Sequence, residues 1–87
     1  MERLELGFNL IKRVEGLRGL TGLRVLELNN NLIYRLEDVA VLKKNVPDLT
    51  MLNLRNNAVC EVKSYRTHVI RRLTSLHMLD GILRAAL

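Results

Sequence analysis

The sequence predicts an α/β fold of the solenoid kind: a short right-handed coil with a concave parallel β-sheet and a helical or 3₁₀ convex side. One observation is a phrase that occurs three times, as Leu4-Glu5-Leu6-Gly7-Phe8-Asn9-Leu10-Ile11, Leu26-Glu27-Leu28-Asn29-Asn30-Asn31-Leu32-Ile33 and Leu52-Asn53-Leu54-Arg55-Asn56-Asn57-Ala58-Val59. A second is the period. Leu4 to Leu26 is a step of 22 residues and Leu26 to Leu52 one of 26, the length of one supersecondary unit in a stacked array. A third is the tail after each phrase, where Ile11, Ile33 and Val59 align, then Val14, Leu36 and Val62, then Leu17 with Val39, Leu20 with Leu42, and Leu23 with Leu49 and Leu76. Every aligned position is apolar, so each coil has an inner side that only its neighbours can cover.

Taken in order, each phrase opens with Leu-x-Leu, a period-two pattern that makes a short strand with its leucines facing inward. The Asn five positions after the first Leu stands where the chain leaves the strand. Its amide can satisfy backbone groups that a buried turn would leave unpaired, so Asn9, Asn31 and Asn57 are read as a structural ladder. The first return path, Glu15-Gly16-Leu17-Arg18-Gly19-Leu20-Thr21-Gly22, carries three glycines and predicts a 3₁₀-like connection. The second is four residues longer and predicts a helix: Glu37 and Asp38 complement its positive end, Lys43 and Lys44 its negative end, Val39 and Leu42 face inward, and Pro47 stops it. The third predicts a helix with Ser64 as N-cap and with Tyr65, Val69 and Leu73 on one face.

The pattern Leu-x-x-Leu-x-Leu-x-x-Asn-x-Ile resembles the leucine-rich repeat superfamily, and the 22-residue form with Ile after Asn resembles its SDS22-like class. The run Asn57-Ala58-Val59-Cys60, Tyr65-Arg66, Val69-Ile70, Leu73, Leu76 and Leu79-Asp80-Gly81 is similar to the C-terminal cap that follows such repeats. Ala58 and Thr74 stand where the family often has proline, which removes two stiffened turns. The resemblance spans about residues 3 to 82. It implies one domain over 1–87, with repeats at about 3–22, 23–48 and 49–75 and a cap at about 60–83. No cap precedes the first repeat, so the outer edge of Arg3-Leu4-Glu5-Leu6 is open. That edge suits a fragment or short form of a longer array, or one covered by a partner or a second copy.

Composition narrows the function. Leucine fills 19 of 87 positions and aromatics only 3%, so the core is built from leucine and β-branched side chains. No apolar run reaches the ~18 residues needed to span a bilayer, and the first five residues lack the order of a signal peptide. With a single cysteine, Cys60, the chain reads as soluble and intracellular, cytoplasmic in the first instance, and Cys60 as a small buried apolar group. His68 and His77 have no cysteine or carboxylate at metal-ligand spacing, and neither a phosphate-binding glycine loop nor a nucleophile elbow is present. The reading is a non-enzyme without metal or cofactor.

Outward residues of successive strands stack into columns. One runs Arg3, Val25, Met51, Met78; the next Glu5, Glu27, Asn53, Asp80; the third Gly7, Asn29, Arg55. The apolar, methionine-bearing column is the expected contact patch, and the acidic column beside it suits a basic partner. Phe8 and Asn30 would extend the patch at the strand ends. The expected function is therefore a protein–protein interaction module, a scaffold or adaptor that holds a protein on its concave face. A second reading rests on the net charge of +5: Lys63, Arg66, Arg71 and Arg72 make the cap basic, and Lys12, Arg13, Arg18 and Arg24 do the same nearer the start. Those cations would meet RNA phosphates or an acidic surface, but no aromatic is interleaved to stack bases. Members of the SDS22-like class include a phosphatase regulator, a spliceosomal protein and ciliary or axonemal proteins. The resemblance thus implies a protein partner in a ciliary, cytoskeletal or nuclear setting.

Overall fold

A Leu-x-Leu unit can bury only one residue in two, so its strands stay short and gain stability from stacking. The computed structural model, which describes residues 1–87, shows this. Strands β1 (Arg3–Glu5), β2 (Val25–Glu27), β3 (Met51–Asn53) and β4 (Met78–Leu79) lie side by side in chain order, all parallel, and β5 (Ile82–Leu83) returns antiparallel to β4. Arg3, Val25, Met51 and Met78 are in register, as are Glu5, Glu27 and Asn53. The sheet is open. On its inner side Leu26, Leu28, Leu52, Leu54 and Leu79 enter a single cluster of 18 buried residues that runs from Val14 to Leu79.

The return paths follow their composition. Helix α1 (Glu37–Asn45) buries Val39 and Leu42, ends two residues before Pro47, and carries its acids in the first turn and its lysines in the last. Helix α2 (Tyr65–Arg72) buries Tyr65 and Val69, with Leu73 buried just beyond it. A 3₁₀ turn over Ala58–Glu61 precedes it.

Several details differ from the sequence reading. The first return path is 3₁₀-like as expected, but as isolated i to i+3 turns, Leu17 O to Leu20 N and Leu20 O to Leu23 N, because Gly16 and Gly19 sit at positive φ and interrupt any run. The same turn recurs as Val46 O to Leu49 N and Leu73 O to Leu76 N, so Leu20 is the counterpart of Val46 and Leu73 and not of Leu42. Ser64 adopts φ 66° and makes no side-chain cap bond, since a left-handed residue turns its hydroxyl away from the first amides. Asp38 is buried and takes a 3.3 Å bond from Arg35 while Arg35 Nε and Asp38 Oδ2 lack partners, which makes that pair a weak source of stability. Arg84 donates to the carbonyls of Ile70, Leu73 and Leu76, placing a cation at the C-terminal end of α2 and over the turn that follows it.

The asparagines tie coil to coil. Asn57 Nδ2 donates to Leu54 O and Arg55 O in its own coil and to Leu28 O in the one before, while its Oδ1 accepts from Ile33 N. Asn31 repeats this with Leu28 O, Asn29 O, Leu6 O and Ile11 N. Both are about 95% buried, at 5% and 6% exposure. Asn9 is exposed and bonds only within its own coil, to Leu6 O and Gly7 O.

An inequality in stability follows. Removing a buried amide strands its main-chain partners at about 1–3 kcal/mol per group left unsatisfied. Asn57→Ala should lose about 3 kcal/mol or more in urea unfolding, and Asn9→Ala about 1 kcal/mol or less. Equal losses at the two positions would show that the bonds between coils are not what stabilises the stack.

Candidate protein interaction site

Parallel pairing fixes which side chains share the outer face of the sheet. Arg3, Val25, Glu27, Met51, Asn53, Arg55, Met78 and Gly81 line one shallow groove across β1 to β4. Its volume of about 220 Å³ is below the ~300 Å³ at which pockets begin to enclose a drug-sized ligand. A groove of that size takes a projecting side chain. Met51 is its exposed apolar point, and Val25 and Met78 flank it half-buried. Asn29 borders the next depression with Glu5, Gly7 and Phe8. A Cβ on Gly7 would come within 2.7 Å of Asn29 Oδ1, so only glycine lets that amide close over the sheet.

The charge pattern departs from the acidic column that the sequence suggests. Arg3 donates to Glu5 at 3.0 Å and to Glu27 at 2.7 Å, neutralising part of both carboxylates from within the face. The Arg3 hydrogen bond holds the Glu5 carboxyl below its ordinary range, and the same bond raises Arg3. Asp80 leaves the column altogether. The chain turns at Asp80, φ 52°, and its carboxylate accepts from Leu54 N at 2.6 Å and from the Tyr65 hydroxyl at 2.8 Å. In the earlier coils the amides of Leu6 and Leu28 find a main-chain oxygen on the next strand, Glu27 O and Asn53 O. Asp80 supplies a side-chain oxygen in that place and so closes the ladder. Arg55 makes no ion pair and lies over Gly81, where a Cβ would collide with its guanidinium. The groove therefore has carboxylates under Arg3 at the β1 end and a free guanidinium at the β4 end.

No protein-family model matches the sequence. Among curated proteins the chain is 39% identical over 77 residues to the U2 small nuclear ribonucleoprotein A' of Saccharomyces cerevisiae, covering 88% of this chain and 32% of that protein. The chain thus spans about a third of that relative. Among solved structures it superimposes on a chain of the Chaetomium Mex67:Mtr2 subunits with a TM-score of 0.83 and 26% identity, over 97% of this chain and 60% of that one. The Mex67 LRR domain from Chaetomium thermophilum matches 71% of this chain and 41% of that one, at a TM-score of 0.65 and 29% identity. This is a leucine-rich repeat fold. A chain of the Drosophila melanogaster SNF/U2A' complex shares it, with a TM-score of 0.64 and 22% identity over 95% of this chain and 61% of that one.

Within the leucine-rich repeat the other sequence-selected residues fall elsewhere. Lys63, Arg66, Arg71 and Arg72 are exposed on and before α2 and line no part of the sheet groove, though Arg66 borders a separate depression with Arg55; none forms an ion pair. By the same coil correspondence Arg18, Lys44 and Arg71, each exposed, occupy equivalent positions in their return paths. The sequence hides that equivalence because the longer second return path shifts its register. His68 lies on α2 and His77 just before β4, and no three His, Cys, Asp or Glu side chains converge as metal ligands. No helix is long and apolar enough to cross a membrane. The Cys60 thiol donates to Leu54 O at 2.9 Å, beside Tyr65 and Asp80.

Burial first, and the Asp80 charge second, push the Tyr65 phenol far above its ordinary value, and burial raises the Cys60 thiol. The unfolded chain releases a thiol proton at about pH 8.5 and a phenol proton at about pH 10, whereas folding shifts both releases to higher pH. Their contribution to stability is complete below those values and declines above them. The urea midpoint should therefore fall as pH rises from about 9 to 11, and Tyr65→Phe should flatten the part above about 10. A wild-type midpoint that stays level across that range would refute the lock between Tyr65 and Asp80.

Proposed function

We propose that this chain is a protein-binding module of the SDS22-like form, which holds a protein partner on the exposed face of its sheet in a nuclear ribonucleoprotein setting. The groove from Arg3 to Met78, with Met51 at its centre, carries the reading: a patch with an apolar middle and polar rim, too shallow for a small molecule, is the anatomy of an anchor-residue interface. The relative at 39% identity is named as a component of a small nuclear ribonucleoprotein, and the solved structure at 26% identity is of two named subunits, Mex67 and Mtr2. These favour a nuclear assembly over the ciliary or cytoplasmic setting that the class alone suggests. Both relatives are named as parts of assemblies, which supports binding in place of catalysis.

Arg3, Glu5, Val25, Glu27, Asn29, Met51, Asn53, Arg55 and Met78 form the contact set. Met51 is the anchor, because it alone among the groove's apolar side chains is exposed, and its flexible thioether adapts to the partner's surface. Arg3 shields both carboxylates and Arg55 is free, so the partner meets a polarised surface and not a uniformly acidic one.

A second reading draws on the helical side. Arg18, Lys44 and Arg71 at equivalent positions, with Lys63, Arg66 and Arg72 nearby and all free of ion pairs, suit phosphate contacts within the same ribonucleoprotein.

Met51→Glu should lower capture of the partner from nuclear extract by about 30-fold, the loss of one hot-spot residue of ~2 kcal/mol, with an unchanged melting temperature. Undiminished capture by a Val25/Met51/Met78 triple charge variant would move the interface off the sheet face. For the second reading, RNA affinity should fall steeply with salt, and a flat salt dependence would remove it.

A further inference from the structure

We propose, on the reading of the groove as a protein-binding face, that its β4 end takes an aspartate or glutamate side chain of the partner. Arg55 and Asn53 hold that carboxylate beside the apolar side chain that sits on Met51.

Alternation along β3 and its exit sends Met51, Asn53 and Arg55 to the outer face, while Leu52 and Leu54 between them are buried. All three outer residues line the groove. The bonding capacity they leave open is of one kind. Asn53 Oδ1 accepts from Arg55 N at 3.0 Å, which uses the acceptor of that amide within the chain and leaves its Nδ2 donors to the groove. The Arg55 guanidinium, a planar fork of N–H donors, forms no ion pair. Gly81, at φ 79°, leaves the space in which that fork lies, and a Cβ there would displace it.

The carboxylates close by are already engaged. Asp80 accepts from Leu54 N through Oδ1 and from the Tyr65 hydroxyl through Oδ2, and Glu27 accepts from Arg3. The β4 end of the groove therefore presents donors and lacks acceptors. A partner that covered it with apolar surface alone would strand those donors away from water. A carboxylate meets them, because it brings acceptors only, matches the guanidinium fork with two parallel bonds and keeps lone pairs for Asn53 Nδ2. A lysine or arginine at the same place would set donor against donor and charge against like charge.

The side from which the acid approaches is set by charge. Away from the groove Arg55 borders a depression with Glu61, Tyr65, Arg66 and Asp80, where two carboxylates oppose a third. On the groove side Arg55 shares its surroundings with Met51, Met78 and Gly81. The groove holds one projecting apolar side chain, and the acid lies at its rim against Arg55. The partner thus carries an acidic residue next to its apolar anchor.

Selection of a displayed library of random peptides on the intact 87-residue chain tests this. Peptides that the wild type retains and Met51→Glu loses should pair an aliphatic or aromatic residue with a nearby Asp or Glu. Arg55→Glu should bind those peptides at least about tenfold more weakly, and its own selection should replace the acid with Lys or Arg. Because the Arg55 side chain is exposed and unpaired, circular dichroism of this variant should match the wild type. Met51-dependent peptides with no acidic preference, or with equal affinity for Arg55→Glu, would overturn the carboxylate site and leave the groove as a binding face. A selection that yields no Met51-dependent peptide would overturn both.

Discussion

The structure depends on two buried side-chain amides. Asn31 and Asn57 each bond four main-chain groups, two in the coil they belong to and two in the coil before. Strands of three residues supply few ladder bonds, and turns that run into the interior leave carbonyls and amides without water. The amide carries two N–H donors and an acceptor oxygen on one neutral side chain, so it can meet both needs at once. Leucine burial then drives the stack together, while the asparagines fix how one coil lies on the next.

The two ends of the stack solve the edge problem differently. At the end of the chain β5 covers β4, Asp80 replaces a main-chain acceptor, and Arg84 covers the last carbonyls of α2. The first meets main-chain groups with main chain, and the other two meet them with side-chain groups. At β1 the same valences stay open, as the exposed Asn9 and the half-buried leucines of that coil record.

The face between them gains its character from that geometry. Stacked strands bring residues more than twenty positions apart into lateral contact, so Arg3 reaches Glu27 and the acidic column is partly neutralised from within. What the face presents is an apolar centre at Met51, a shielded acidic end and a free guanidinium over Gly81. Such a surface selects its partner by shape and charge placement more than by net charge.

Much of this was legible in the residues, because a repeat writes its own alignment. The Leu-x-Leu spacing determined the strands and their register, the recurring Asn determined the turns, and the insertion before Pro47 determined α1. Period and polarity are local properties, and local properties survive in sequence. Tertiary structure alone decided which asparagine lacks a neighbour, that Asp80 turns off the column to meet Tyr65 and Leu54, that Arg84 closes α2, and that Arg3 screens two carboxylates. Each of those outcomes hangs on which groups remain unsatisfied once the coils have stacked, and no count of residues along a chain contains that information.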